Sequence, residues 1–223
     1  MRQIKFLIVV SNTSRSLIYL QNIKKNKLQP KEIIYLDNRK KNNIRKTLRK
    51  NFKKFFDVKI KKFNCTKINK KVSNYILGKT EKYVVYCGYP GIIVKDSIIN
   101  KKEFLHCHPG RLPNYKGSNT IYYSILKEKI IYCTTFILNS RIDEGSILFE
   151  KKYRIPKNII TIDSQYDSEI RAKNLVYVLK NLHSIKKRKQ YKNNKIPYFV
   201  MHPILRIKVF MKQKLLNEKT YHL

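Results

Sequence analysis

The chain is expected to fold as an α/β protein, three layers built on a mostly parallel, Rossmann-like sheet. Three observations predict it. Short apolar runs rich in β-branched residues recur at residues 3–10, 32–36, 83–87, 103–108 and 131–138. Stretches with helical periodicity separate most of them, and Pro, Gly, Asn or Ser marks the ends of the runs. Alternating strands and helices bring consecutive strands parallel, with helices on both faces.

Residues 3–10 read as a buried first strand. Ser11, Asn12, Thr13 and Ser14 follow, and then a helix to about residue 26. This cluster caps that helix or, through amides exposed at a helix N-terminus, holds a phosphate. No Gly-x-Gly-x-x-Gly is present, which disfavours a dinucleotide site. Residues 32–36 form a second strand. Residues 40–56 form a basic surface helix burying Ile44, Leu48, Phe52 and Phe55 or Phe56. A short strand at 58–60 precedes a helix at 67–77, with Gly78 in the C-cap position.

Residues 83–87 are a strong strand, followed by Gly88-Tyr89-Pro90-Gly91. The next strand, 103–108, carries two histidines. Successive strand side chains alternate faces, so His106 and His108 share one side. They stand at a strand's carboxyl end beside a Pro/Gly-rich loop, where open α/β sheets place ligands. Ser118, Asn119 and Thr120 open a helix to about residue 129. The run 131–138 leads into a loop containing Asp143 and Gly145, and 146–153 returns beside it. Asp163 and Asp167 are the expected caps of a last helix ending near residue 183. Residues 186–195 are a basic linker, and the apolar 198–205 is expected to dock on the domain. The expected division is a catalytic domain at 1–185 and a linker with tail at 186–223.

The motif at 104–117, FLHCHPGRLPNYKG, followed by Ile142-Asp143-Glu144-Gly145, resembles the folate-dependent formyltransferases. That family contains glycinamide ribonucleotide, methionyl-tRNA and sugar N-formyltransferases. The resemblance covers about residues 84–182 and, more weakly, the first 40. It implies the formyltransferase fold and transfer of a formyl group from 10-formyltetrahydrofolate to a primary amine. It implies His108 as the catalytic histidine, donating to the formyl oxygen. Asp143 is then the aspartate that keeps it cationic or relays the amine's proton. The family pattern is Asn-x-His-Pro, and His106 stands at the Asn position. An imidazole N–H there can still donate to the oxyanion, and two adjacent cations would repel, so one ring is expected to stay neutral. The pterin pocket is expected around Tyr86, Gly88, Tyr89, Gly91 and Gly145. Substrate contacts are expected from Ser11, Asn12, Thr13, Ser14, Arg111, Tyr115, Lys116 and Gly117. Each also has a plainer reading, as a helix cap, a turn residue or a surface charge.

The longer motif and the Met-His-Pro at 201–203 resemble the sugar N-formyltransferases, which implies a nucleotide-linked amino sugar as substrate. Methionyl-tRNA and glycinamide ribonucleotide formyltransferases are alternatives. The segment beyond the last helix is short for the former's extra domain, and the latter's glycine-rich phosphate loop is absent. Hydrolysis of the formyl folate would use the same residues. His-x-His with a distal Asp is also a metal-ligand set, but no metal is expected because no further ligand stands at a recognisable spacing.

Composition fits this reading. The chain has 223 residues and a formal net charge of +36, enough to invite a nucleic-acid reading. Yet it holds a single alanine, Ala172, and is crowded with Lys, Asn, Ile and Tyr, whose codons are AT-rich. The charge is read as compositional, and it favours anionic ligands. A basic nucleic-acid-binding protein on a degenerate scaffold remains the non-enzyme alternative. Cys65, Cys87, Cys107 and Cys133 are widely spaced and read as small hydrophobes rather than a disulfide framework. With no signal-like or bilayer-spanning run, the expected location is the cytoplasm. The expected partner is a small-molecule amine, with a homodimer as the assembly.

Overall fold

The computed structural model describes residues 4–37, 52, 55–89, 96–191 and 196–220. Its strands are β1 (Phe6–Ser11), β2 (Glu32–Leu36), β3 (Lys59–Phe63), β4 (Tyr83–Cys87), β5 (Glu103–His108), β6 (Ile131–Ile137) and β7 (Ile147–Tyr153). Its helices are α1 (Ser14–Lys25), α2 (Lys70–Leu77), α3 (Asp96–Ile99), α4 (Thr120–Glu128), α5 (Asp167–Asn181) and α6 (Pro203–Thr220). Among the described residues the strands form one seven-stranded sheet in the order β3-β2-β1-β4-β5-β6-β7. Strands β1 to β5 pair in parallel, and β6 and β7 close the edge antiparallel. The α/β class and the three layers agree with the sequence reading.

The alternation of side chains along the strands divides the core. One face of the sheet carries Phe6, Ile8, Val10, Ile33, Val85, Leu105 and Cys107, packed under Leu20 and Ile23 of α1 and Leu175, Val178 and Leu179 of α5. The other carries Leu7, Val9, Ile34, Val84 and Phe104 under Val72 and Ile76 of α2 and Ile98 of α3. Each such aliphatic side chain stabilises the fold by about 1.5–3 kcal/mol. Strand order reverses between β1 and β4, and this opens a crevice at their carboxyl ends, which are Ser11 and Cys87. His108 ends the next strand, β5.

Several local expectations need correction. Asp163 and Asp167 are not caps, because a π-helical turn at Ile162–Tyr166 runs without a break into α5 and leaves no free end. Asp167 instead holds Arg171, and Asp163 holds Arg206. Asn119 occupies the N-cap of α4 at φ +53 but makes no side-chain cap bond. Its Oδ1 accepts from the Met201 amide at 2.9 Å. Helix α2 starts at Lys70, capped by Asn69. Its C-cap Gly78 has φ −72, so glycine's left-handed freedom is not used. Of the expected helix at 40–56, only Phe52, Phe55 and Phe56 are described; Ile44 and Leu48 lie outside the described residues. Helix α6 follows residues read only as an apolar tail. Among the described residues no helix is long and apolar enough to cross a membrane.

Candidate active site

His108 is carried to the crevice by β5 and is almost fully buried, with its side chain 4% exposed. Its Nε2 lies 2.6 Å from the Tyr115 carbonyl and 3.2 Å from Thr120 Oγ1. A carbonyl oxygen only accepts, so Nε2 carries the proton. Thr120 Oγ1 spends its own proton on the Pro109 carbonyl at 2.9 Å and is left to accept from His108. The loop between these residues is pinned from below, where Thr134 Oγ1 donates to the Gly110 carbonyl at 2.6 Å.

His108 Nδ1 faces Asp143 Oδ2 at 3.4 Å. Asp143 comes from the β6–β7 loop and sits at φ +55, in the left-handed region that Asp tolerates better than most residues. Three contacts hold it there. The Gly117 amide donates to Asp143 Oδ2 at 2.8 Å, and Gln190 Nε2 donates to the carbonyls of Asp143 at 2.9 Å and Gly145 at 2.7 Å. Gly145 is needed for close approach, because a Cβ there would lie 1.6 Å from the Ile137 carbonyl oxygen. Gly117 sits at φ +96, with a Cβ position 2.4 Å from the Tyr198 carbonyl oxygen.

Burial and Asp143 act on the His108 ring in opposite directions. Burial lowers the His108 pKa, and Asp143 offsets this only in part. Desolvation, with a smaller push from Arg171, takes His106 down to about 3. His106 is therefore neutral at physiological pH, in keeping with the expectation that one ring stays neutral.

His106 Nδ1 lies 3.2 Å from the Tyr86 carbonyl, and its ring is flanked by Tyr86 and Phe136 at centroid distances of 6.0 and 5.8 Å. Tyr86 contributes a buried phenol, raised by desolvation, whose hydroxyl reaches the Tyr89 carbonyl at 3.4 Å. Gly88 leaves room for that ring, since a Cβ there would stand 2.7 Å from it. Gly91 lies outside the described residues.

The remaining candidates divide. Thr13 is the N-cap of α1, accepting from the Ser16 amide at 3.2 Å, and Ser14 opens the helix on its exposed side. Ser11 Oγ, both amide atoms of Asn12 and the Tyr89 hydroxyl are buried without a partner among the described residues. An unmade hydrogen bond of that kind costs about 1–3 kcal/mol, which makes these atoms candidates for a polar ligand. Lys116 is buried and pairs with Glu144 at 2.7 Å. Tyr115 donates to Glu128 at 2.6 Å. Arg111 pairs with Glu150 at 3.6 Å and covers Tyr132. Its two sequence readings were a surface charge and a phosphate contact; the structure gives it a carboxylate partner.

Sequence reasoning missed four supports. Ser16 Oγ accepts from the Ser11 amide and donates to the Cys87 carbonyl, both at 3.0 Å, tying β1 to β4 at the crevice. Arg15 donates to the Gly88 carbonyl at 3.0 Å. Arg171, buried beneath β5, donates to the Cys107 carbonyl at 2.9 Å. An Arg four residues after Asp167, on a helix face rich in Ile, Leu and Val, was the available signal. Gln190, in a polar stretch, gave none. Among the described residues no three metal-ligating side chains come together. Burial pushes the Cys107 thiol up to about 11, and the buried thiols of Cys87 and Cys133 rise for the same reason, which suits inert core positions.

The arrangement offers a buried imidazole facing a carboxylate at the carboxyl edge of the sheet, next to unpartnered polar atoms at the first βα turn. Comparison with known proteins gives it a family. The family model described as formyl transferase matches residues 4–168. No curated protein matches the chain. Among solved structures it is similar to a sugar N-formyltransferase from a Shewanella species, with 18% identity, 95% of this chain and 88% of that one covered, and a TM-score of 0.60. It is also similar to a 4-N formyltransferase from Francisella tularensis, at 14% identity, 96% and 88% coverage and a TM-score of 0.62. A phosphoribosylglycinamide formyltransferase from Bacillus halodurans matches at 17% identity, 81% and 95% coverage and a TM-score of 0.59. The expected fold is the one these proteins share, and the matched stretch takes in β1 to β7 with both histidines and Asp143. The chain belongs to the formyl transferase family and is a formyl-transfer enzyme.

Proposed function

We propose that the chain transfers a formyl group from 10-formyltetrahydrofolate to the primary amine of a nucleotide-linked amino sugar. The observation that carries this reading is the buried His108–Asp143 pair, 3.4 Å apart at the edge of the switch-point crevice. The folate supplies the formyl carbon. Its fit is supported by the apolar wall of Tyr86 and Phe136 and by the unpartnered Tyr89 hydroxyl.

The attacking amine must lose a proton as it joins the formyl carbon. With Nε2–H held by Tyr115 and Thr120, His108 keeps Nδ1 bare and aimed at Asp143 Oδ2. A proton delivered there lies between two acceptors. The ring then becomes cationic when negative charge develops on the formyl oxygen, and its positive charge offsets that charge through the site. Acid–base assistance adds about 10²–10⁴-fold.

Ser11, Asn12 and the N-terminus of α1 are the proposed seat of the substrate's phosphates. Their support is the set of unpartnered polar atoms at the carboxyl end of β1. Residues 1–185 carry the chemistry, and 186–223 complete its frame. Gln190 holds the Asp143 loop, and Tyr198 pairs with Gly117. The sugar class rests on likeness in the motif and is tested directly. A panel of nucleotide-linked amino sugars is incubated with 10-formyltetrahydrofolate, and a mass gain of one formyl group on one of them is expected. Formylation of glycinamide ribonucleotide instead, or of no amine at all, would overturn the substrate assignment.

A further inference from the structure

His106 and His108 share a strand face, but their ring edges are used differently. Both nitrogens of His108 face protein acceptors, with Tyr115 and Thr120 on one side and Asp143 on the other. His106 has one nitrogen engaged. Its Nδ1 lies 3.2 Å from the Tyr86 carbonyl, and among the described residues no protein group meets its Nε2. A carbonyl cannot donate, so the hydrogen of that bond sits on Nδ1. The ring is held between Tyr86 and Phe136, with the Arg171 and Arg15 guanidinium groups disfavouring a second proton. Nε2 is then a bare acceptor.

We propose that His106, fixed in its Nδ1–H tautomer by the Tyr86 carbonyl, accepts one N–H of the incoming amine at Nε2 and turns the nitrogen lone pair toward the formyl carbon. This rests on the formyl-transfer reading of the site. It departs from the sequence expectation that His106 donates to the oxyanion. His106 forms no covalent bond and takes no proton. A primary amine has two hydrogens, one held by His106 throughout and the other released to the His108–Asp143 pair. An N-methyl amine has only one hydrogen and cannot serve both. The position is therefore a selector for primary amines, because a substrate lacking the second N–H leaves this acceptor unpaired in the complex.

Long-range proton–nitrogen correlation on protein labelled with ¹⁵N-histidine reads the tautomer without any substrate, with the His106 signals assigned by their loss in His106→Asn. The expected result is a proton-bearing Nδ1 and a bare Nε2, unchanged from pH 5 to pH 8. A proton on Nε2 within that range overturns the proposal, whether or not the enzyme turns over. A kinetic arm uses the primary amine that turns over in the screen above and its N-methyl derivative. Wild type is expected to prefer the primary amine, and His106→Leu to raise that amine's KM about 3- to 10-fold, the scale of one hydrogen bond. The pH profile of kcat should stay in place. Equal use of both amines by wild type, or a His106→Leu variant that changes only kcat, overturns the role. If no amine is formylated, the functional reading fails while the spectrum still decides the tautomer.

Discussion

Asp143 Oδ2 lies 3.4 Å from His108 Nδ1 and accepts the Gly117 amide at 2.8 Å, so one carboxylate oxygen links the β6–β7 loop to β5 and to the motif loop. Neither residue is near the other in sequence. Antiparallel pairing of β5 with β6, where His108 lies opposite Thr134, brings the two segments together. The Asp143 loop is then folded back by Gln190.

Gly117 is the most exposed to substitution of these supports. At φ +96, with a Cβ position 2.4 Å from the Tyr198 carbonyl oxygen, Gly117→Ala strains the backbone and displaces residue 198. The expected cost is about 1–3 kcal/mol, read as a Tm lowered by about 2–10 °C. Turnover should fall as well, because the amide that orients Asp143 moves. An unchanged Tm in a thermal melt would show that the Gly117–Tyr198 contact is not made in solution.

Ser16→Ala removes a hydroxyl that serves the Ser11 amide and the Cys87 carbonyl at once, in a residue with no solvent exposure. Leaving those groups unpaired costs about 1–3 kcal/mol. The KM of the anionic substrate should rise with it, since Ser11 and Asn12 stand on the same turn. A variant with wild-type Tm and KM would remove Ser16 from the account.

Acid should destabilise the protein earlier than its carboxylates alone would. The unfolded histidine takes up protons below about pH 6.5, whereas folded His106 does so only near 3 and folded His108 at a lowered value. The unfolded state therefore binds more protons as pH falls from about 6.5 toward 3. Stability is lost across that window, at up to about 1.4 kcal/mol per pH unit for each such histidine. The lowered carboxylates Glu103 and Glu144 lose their contribution only as pH falls below the ordinary carboxylate range. Denaturant titrations at pH 7 and pH 5.5 measure the difference, and His106→Asn should shrink it. Equal wild-type stability at both values would contradict the burial argument.

How much of this was legible in the sequence depended on the kind of interaction. Strands such as Tyr83–Cys87 and Glu103–His108 were read to the residue because apolar runs between polar breaks have few other solutions. The same-face placement of His106 and His108 followed from strand alternation. Asp163 and Asp167 were misread because a Ser/Asp-rich stretch before a helix signals a cap, and nothing local reveals a π-helical turn continuing the helix. The orientation of the His106 ring was not legible either. Which nitrogen is free depends on the Tyr86 carbonyl, a backbone atom that no side-chain pattern reports. Gln190 and Arg171 act across long sequence separations through single hydrogen bonds, and such contacts leave no periodic trace.

In the proposed reaction His108 and Asp143 together manage the proton and the charge of formyl transfer. The most direct measurement is kcat for His108→Gln and Asp143→Asn, using the amine that wild type formylates, beside circular dichroism and Tm of each variant. A fall of about 10²- to 10⁴-fold is expected in each, with the fold retained. Turnover within a few-fold of wild type in either variant, with the protein folded, would contradict it.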